Sequence, residues 1–243
     1  MKSISLRIIP ASLVLVPFLA GCGAEPITGD TPTNPIVAVR SDIDAKAHRS
    51  DQDGFQSSSA PGATVDSLEV SAAYMMVSGL ELHGIDEFSS SQVNRIRANQ
   101  TLVVFQPEWP NYVADVEAVA GTYSTARFNV RPLHGRIDSL IAFDSRFADF
   151  VTYGPSNAII VTGHTYKNGV KVPFVFTSVA VFESQFTFKP QLPLTNSGRH
   201  EIRMRFLAQK AFGANGAVMD PTDSRNWLTI ASNLENSVGF FRL

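Results

Sequence analysis

Residues 158–177 run Ala158-Ile159-Ile160-Val161-Thr162-Gly163-His164-Thr165-Tyr166-Lys167-Asn168-Gly169-Val170-Lys171-Val172-Pro173-Phe174-Val175-Phe176-Thr177, and this stretch decides the fold class. Asn168-Gly169 supplies the two positive-φ positions of a type I′ turn. Apolar, β-branched residues lie on both sides of it, so the stretch reads as a β-hairpin. Beyond it, Phe174, Phe176, Phe182, Phe186 and Phe188 recur at even spacings, and an unbroken strand would set them on one face. Such a row is either an aromatic platform for a sugar or other flat ligand, or the inner face of a sheet. Large aromatics dominate core burial, which favours the inner face. Pro173 and Pro190 bracket the region and mark a strand start or an edge.

Outward from the hairpin the same period recurs. In Glu201-Ile202-Arg203-Met204-Arg205-Phe206 the charged residues share one face and the apolar ones the other, and Arg127-Phe128-Asn129-Val130-Arg131 repeats this more briefly. Leu68 to Val77 is less regular and is expected as a strand, with a short helix as the alternative. It ends at Ser78-Gly79 and leads into Leu80 and Leu82. Thr101 to Phe105 and Ala158 to Thr162 are β-branched runs suited to strands covered on both sides. One helix is expected over Asp220 to Val238. Asp220 would cap it, Pro221 would take its first position, Trp227, Ile230, Leu234 and Val238 recur at helical spacing, and Gly239 would stop it. A second short helix is expected within Pro110 to Ala120, from Tyr112, Val113, Val116 and Val119. Many strands and few helices point to a mainly β, antiparallel β-sandwich over residues 64–243 with one C-terminal helix; an open barrel is the neighbouring possibility.

Composition narrows the function classes. The 243 residues carry 20 Lys plus Arg against 22 Asp plus Glu, a formal charge of −2 that gives no concentrated basic surface for nucleic acid. A single cysteine excludes a disulfide within the chain. The 44% hydrophobic content and only 17% charged residues belong to a chain that builds a core.

That cysteine stands in a telling place. Lys2 and Arg7 precede an apolar run from Ile8 to Ala20, and Leu19-Ala20-Gly21-Cys22 follows directly. The run covers about 13 residues where a helix needs ~20 to cross a hydrocarbon core, and Pro10 and Pro17 interrupt it. The segment resembles the signal peptide and lipobox of bacterial lipoproteins. The resemblance implies cleavage after Gly21, a thioether-linked diacylglycerol on Cys22, and acylation of the new amino group. Several acyl chains at ~0.8 kcal/mol per buried methylene hold stably where one holds marginally, so membrane lipid is the expected partner through Cys22. Gly23 in place of Asp leans towards an outer membrane in the same pattern. Residues 1–21 are thus expected to be a signal peptide. Removing them takes Lys2 and Arg7 and leaves 18 basic against 22 acidic residues.

From Cys22 to residue 63 the texture changes to Pro26, Pro32, Pro35, Pro61 and Gly29, Gly54, Gly62 among Ser, Thr, Asp and Asn, with only brief apolar groups such as Ile36-Val37-Ala38-Val39. This composition reads as a lipidated cysteine followed by a flexible tether over 22–63. Asp51-Gln52-Asp53-Gly54 has the look of a calcium loop, but with Gly54 sixth the loop would begin at Arg49, which cannot be a first ligand. Further on, Gly121-Thr122-Tyr123 and the alternating residues to Val130, after a strand through Val77-Ser78-Gly79-Leu80-Glu81-Leu82, resemble uncharacterised prealbumin-like β-domains of bacterial lipoproteins. This resemblance implies an immunoglobulin- or prealbumin-like sandwich and adds little about activity.

Signs of catalysis are few. His48, His83, His134, His164 and His200 lack the two- or four-residue spacing of compact zinc motifs, and no hydrolase elbow, phosphate loop or dinucleotide fingerprint is present. No cofactor and no metal is expected. Asp138, Asp144 and Asp149 lie close in sequence, but glycosidase acids need a fixed separation across a cleft, and Arg146 is as suited to neutralise Asp144 as a substrate is. Trp109, between Pro107 and Pro110, is the best candidate for ligand binding, because a loop-borne tryptophan can stack on a ligand; it can equally plug the end of a sandwich. The expectation is a lipid-anchored, non-catalytic module of the bacterial cell envelope, serving binding or surface assembly with a carbohydrate or protein partner. The alternatives are an envelope hydrolase whose residues converge from distant strands, and a structural, adhesin-like subunit recruiting partners through a sheet edge.

Overall fold

Among the described residues fifteen strands carry the architecture, and one of them is its spine. The computed structural model describes residues 34–49, 60–86, 90–97, 99–108, 110–133, 141, 146–154, 156–195 and 198–242, with the side chain of Asp149 left out. In chain order the first strands are β1 (Ile36–Asp44), β2 (Lys46–His48), β3 (Thr64–Val65) and β4 (Ser67–Asp86). Then come β5 (Ser91–Arg97), β6 (Thr101–Phe105), β7 (Asn111–Glu117) and β8 (Gly121–Val130). Helix α1 (Arg146–Thr152) leads to β9 (Ile159–Lys167), β10 (Val170–Ser178), β11 (Phe182–Leu194) and β12 (Arg199–Leu207). The chain closes with α2 (Ala208–Phe212), β13 (Gly213–Ala214), β14 (Ala217–Met219), α3 (Trp227–Leu234) and β15 (Val238–Arg242).

These strands stack as a sandwich. One sheet has the order β15-β12-β1-β7. The other is built on the 20-residue β4, whose first half pairs with β9 and whose second half pairs with β8, while β2, β6 and β5 line its opposite edge in turn. The hairpins β9–β10 and β8–β11 extend the two halves. Aromatic residues fill the space between the sheets. Phe105 of β6 meets Phe206 of β12 at 6.1 Å, and Phe128 of β8 meets Phe240 of β15 at 5.9 Å. The buried Ser41 hydroxyl of β1 donates to the Val104 carbonyl of β6 at 2.6 Å, so a polar stitch joins the layers as well. A short third sheet, β13-β14-β3, borders the core. The expected mainly β sandwich with a short C-terminal helix is the fold observed; among the described residues all pairings are antiparallel except β1 with β12.

The hairpin follows its turn chemistry, with Asn168 at φ +49° and Gly169 at +76°. The strand over Glu201–Phe206 is likewise observed, with Ile202, Met204 and Phe206 buried. Both faces of β6 and of the start of β9 are covered. Val103, Phe105, Ile159 and Val161 join the main core. Leu102, Val104 and Ile160 form a smaller core with Met76, Phe147 and Phe150 under α1. Pro173 and Pro190 lie in β10 and β11, the two outer strands of their sheet. The phenylalanine row is divided between these strands. Phe174 and Phe176 pack on Phe212, whereas Phe186 and Phe188 pack on each other and on Phe240. It is sheet interior and not a ligand platform.

Three expectations are corrected. Residues 36–48, assigned to the tether, form β1 and β2, and β1 lies inside a sheet between β12 and β7 with Val37, Ala38 and Val39 buried. Burying this Ile-Val-Ala-Val run stabilises the strand despite its polar surroundings, and the domain begins no later than Ile36. Residues 22–33 and 50–59 lie outside the described residues. Second, Pro110–Ala120 holds the strand β7 and no helix. Val39 pairs with Ala114 and Arg40 with Tyr112, so Val113 is an extra, bulged residue, and that break in alternation mimics helical spacing. Third, the C-terminal helix starts later. Asp220 accepts from the backbone and hydroxyl of Thr222 in a turn, Asp223 caps a 3-10 turn at Ser224–Asn226, and α3 ends at Leu234, leaving Val238 and Gly239 to β15.

That later start places a clamp. Asp223 Oδ2 accepts from the Ala63 amide at 2.7 Å, while the buried Asn226 accepts from Gly62 and donates to the carbonyls of Ala63 and Asp220. The Arg225 guanidinium, with the Ala63 and Arg225 amides, holds the Asp223 carboxyl well below the usual carboxylate range. A depressed carboxyl contributes stability that is present above its unfolded value of ~3.9 and is lost as pH falls through the folded value. Acid unfolding followed by circular dichroism is therefore expected to show a loss of stability below about pH 4 that is smaller in Asp223→Asn than in the unaltered chain.

Candidate functional site

The outer face of the β4–β9–β10 half carries the candidate site, and a bulge creates it. Between Val70 and Ala72 the register of β4 on β9 shifts, which changes the parity of the strand. Before the shift Leu68 and Val70 point into the main core; after it Ala73, Met75 and Val77 do. Glu69 and the exposed Ser71 thus face outward at the point where Tyr74 and Met76 turn towards the smaller core.

Neighbouring strands add to this face in register. His164 of β9 stands opposite both Glu69 and Pro173, and Tyr166 stands opposite both Ser67 and Lys171. The Tyr166 hydroxyl donates to Glu69 Oε2 at 3.1 Å, and the Lys171 ammonium lies 5.7 Å from the centre of the Tyr166 ring. The opposite wall is the segment after β6. Gln106, Pro107 and Glu108 turn the chain there, with the Gln106 amide donating to Asn111 Oδ1 at 3.2 Å. Glu108 takes φ +84°, a left-handed conformation that is costly for a residue bearing Cβ and that gathers at functional sites. Together Glu69, Val70, Ser71, Gln106, Pro107, Glu108, His164 and Lys171 line an open groove of about 440 Å³. It offers carboxylates, an ammonium, an imidazole, an amide and a hydroxyl to a ligand.

Of the residues singled out from the sequence, the structure brings His164 to this groove. Trp109 follows the groove residue Glu108 in the chain but lies outside the described residues, as do Cys22, His134, Asp138 and Asp144. Asp149 sits on α1. Three other histidines serve local structure: the His48 amide donates to Gln209 Oε1, His83 Nε2 lies 3.1 Å from Glu81 Oε2, and His200 Nε2 accepts from the Thr195 amide. Among the described residues no group of three or more His, Cys, Asp or Glu could hold a metal ion, and no helix is long and apolar enough to cross a membrane.

Glu69, Ser71, Gln106, Glu108 and Lys171 were not picked out by sequence reading. The signals present were the irregular alternation near Ser71 and the polar Gln-Pro-Glu turn directly after an apolar strand. The free edge of β10 makes a second surface. The two-residue turn makes Lys167 and Val170 the closing hydrogen-bonded pair, so the backbone groups of Lys171, Pro173, Val175 and Thr177 face away from β9. Pro173 has no donor to offer there, and Lys171 adds charge, two features that discourage another strand from pairing. No family model matches the chain, and neither a curated protein nor a solved structure matches it.

Proposed function

We propose that this chain is a lipid-anchored, non-catalytic binding module of a bacterial cell envelope, held by acylated Cys22 and engaging a carbohydrate or protein partner through the Glu69–Glu108–Lys171 groove. The observation that carries the binding half is the groove itself. It gathers unlike polar groups from three strands and a turn on an otherwise regular sheet face, beside a bulge and a strained residue. The anchoring half is supported by Leu19-Ala20-Gly21-Cys22 after a short apolar run, and Gly23 favours the outer membrane. With β1 beginning at Ile36, the linker from Gly23 to Pro35 spans at most about 45 Å when fully extended, and the module works close to the lipid surface. The prealbumin-like reading rests on the residues that form β8.

A Cys22→Ser substitution is expected to abolish incorporation of labelled fatty acid and move the chain from the membrane to the soluble fraction. Retention on membranes without label would defeat the anchor. For the groove, glycan and peptide arrays probed with the full chain bearing Cys22→Ser are expected to give ligands that Glu69→Gln weakens; hits indifferent to that change place binding elsewhere. A second reading, an envelope hydrolase, is favoured by the presence of two carboxylates and one imidazole in a single groove. Turnover of envelope polymers that vanishes in Glu108→Gln would establish it over the binding module.

A further inference from the structure

The charges at the groove point to the class of ligand. Lys171 and Glu108 are both exposed, and both line the same depression, Lys171 from the sheet wall and Glu108 from the turn. Among the described residues neither has an ion-pair partner. The Lys171 ammonium rests against the Tyr166 ring, a face that attracts a cation without neutralising it, and Tyr166 in turn donates to Glu69. One cation, Lys171, and two carboxylates, Glu69 and Glu108, none of them with an ion-pair partner among the described residues, thus line one open groove together with Ser71 and His164. A ligand with a single charge would pair with only one sign of this set. A ligand with both charges meets both, since complementary placement of opposite charges confers specificity.

We infer that the groove takes a zwitterion, with the anionic group of the ligand on Lys171 and its ammonium on Glu108, the other carboxylate, Glu69, being oriented by Tyr166. Free amino acids and short peptides with both ends open belong to this class, as do ω-amino acids. The inference rests on the reading of the groove as the binding site and deepens it.

The test uses the full-length chain carrying Cys22→Ser and a ladder of ω-amino carboxylic acids, from glycine to 6-aminohexanoate, each compared with its N-acetylated and its carboxamide form by calorimetric titration. One member of the ladder is expected to bind saturably and at least about tenfold more tightly than either blocked form, tenfold corresponding to ~1.4 kcal/mol. Lys171→Gln should remove the preference over the carboxamide, and Glu108→Gln the preference over the N-acetyl form; both side chains are exposed, so neither change threatens the fold. Equal binding of blocked and unblocked probes overturns the inference, and so does the lack of saturable binding along the whole ladder. A neutral glycan that binds and is weakened by Glu69→Gln would overturn the zwitterion while leaving the groove as the binding site.

Discussion

Phe206→Ala is expected to cost about 3–5 kcal/mol, the range for deleting a large aromatic from a core that cannot collapse around the gap. Phe206 is fully buried on β12, and its ring lies 6.1 Å from that of Phe105 on β6 in the facing sheet. Removing it opens a cavity in the seam between the layers, where backbones hydrogen-bonded within their own sheets cannot move together freely. Beside a typical total of about 5–15 kcal/mol, such a loss takes a large share of the stability. Urea titration monitored by circular dichroism should show the midpoint fall with an unchanged slope. An unfolding free energy within ~1 kcal/mol of the parent's would mean that the seam is looser than described. Phe241→Ala offers a control, because that ring lies outside on the same sheet, beneath the Arg205 guanidinium at 4.9 Å.

Gly84→Ala should rank next, at about 3 kcal/mol, although it adds a single methyl group. A Cβ at Gly84 would stand 2.2 Å from the Thr122 carbonyl oxygen and 2.6 Å from Tyr123 Cα. Both are backbone atoms of β8, so no side chain can swing aside and the strand itself has to move. Behind it lies Tyr123, fully buried, whose hydroxyl donates to the Val119 carbonyl at 2.7 Å and accepts from Asn94, while Asn94 Oδ1 accepts from the Val119 amide at 3.2 Å. Burial pushes the Tyr123 phenol above its ordinary pKa, in keeping with a hydroxyl that stays protonated in this network. Displacing β8 would disturb that network along with the ladder. Thermal unfolding should show the loss, and a variant as stable as the parent would show that β4 and β8 do not approach as closely as described.

Much of the fold was legible wherever one residue type has one physical consequence. Asn168-Gly169 dictates a turn, and Glu201 to Phe206 alternates cleanly because one face of β12 is core and the other carries charge, with Arg205 held bidentately by Asp42. The strand β1 escaped notice because its partners lie far away in sequence. Arg199 pairs with Ile36, and nothing local shows that an Ile-Val-Ala-Val run among prolines will find a strand some 160 residues on. Bulges hid two further features. At Val113 the irregularity imitates a helix, and near Ser71 it makes Leu68–Val77 look irregular while turning Glu69 and Ser71 outward. The groove was less legible than the fold for the same reason. Its parts come from β4, from the turn after β6 and from both arms of the hairpin, and only the register of β4 with β9 brings Glu69 beside His164.

The side-by-side pairing of the first strand with the twelfth has a consequence for biogenesis. Ribosomes deliver the chain amino end first, so Ile36–Asp44 is made early and waits for almost the whole domain before Arg199–Leu207 arrives beside it. Until then its sheet partner among the described residues is β7, with its other edge open to solvent and to other nascent chains. Translation broken off before Arg199 would yield fragments that aggregate instead of smaller folded domains, and the cell has reason to keep a chaperone on this polypeptide until its last quarter is complete.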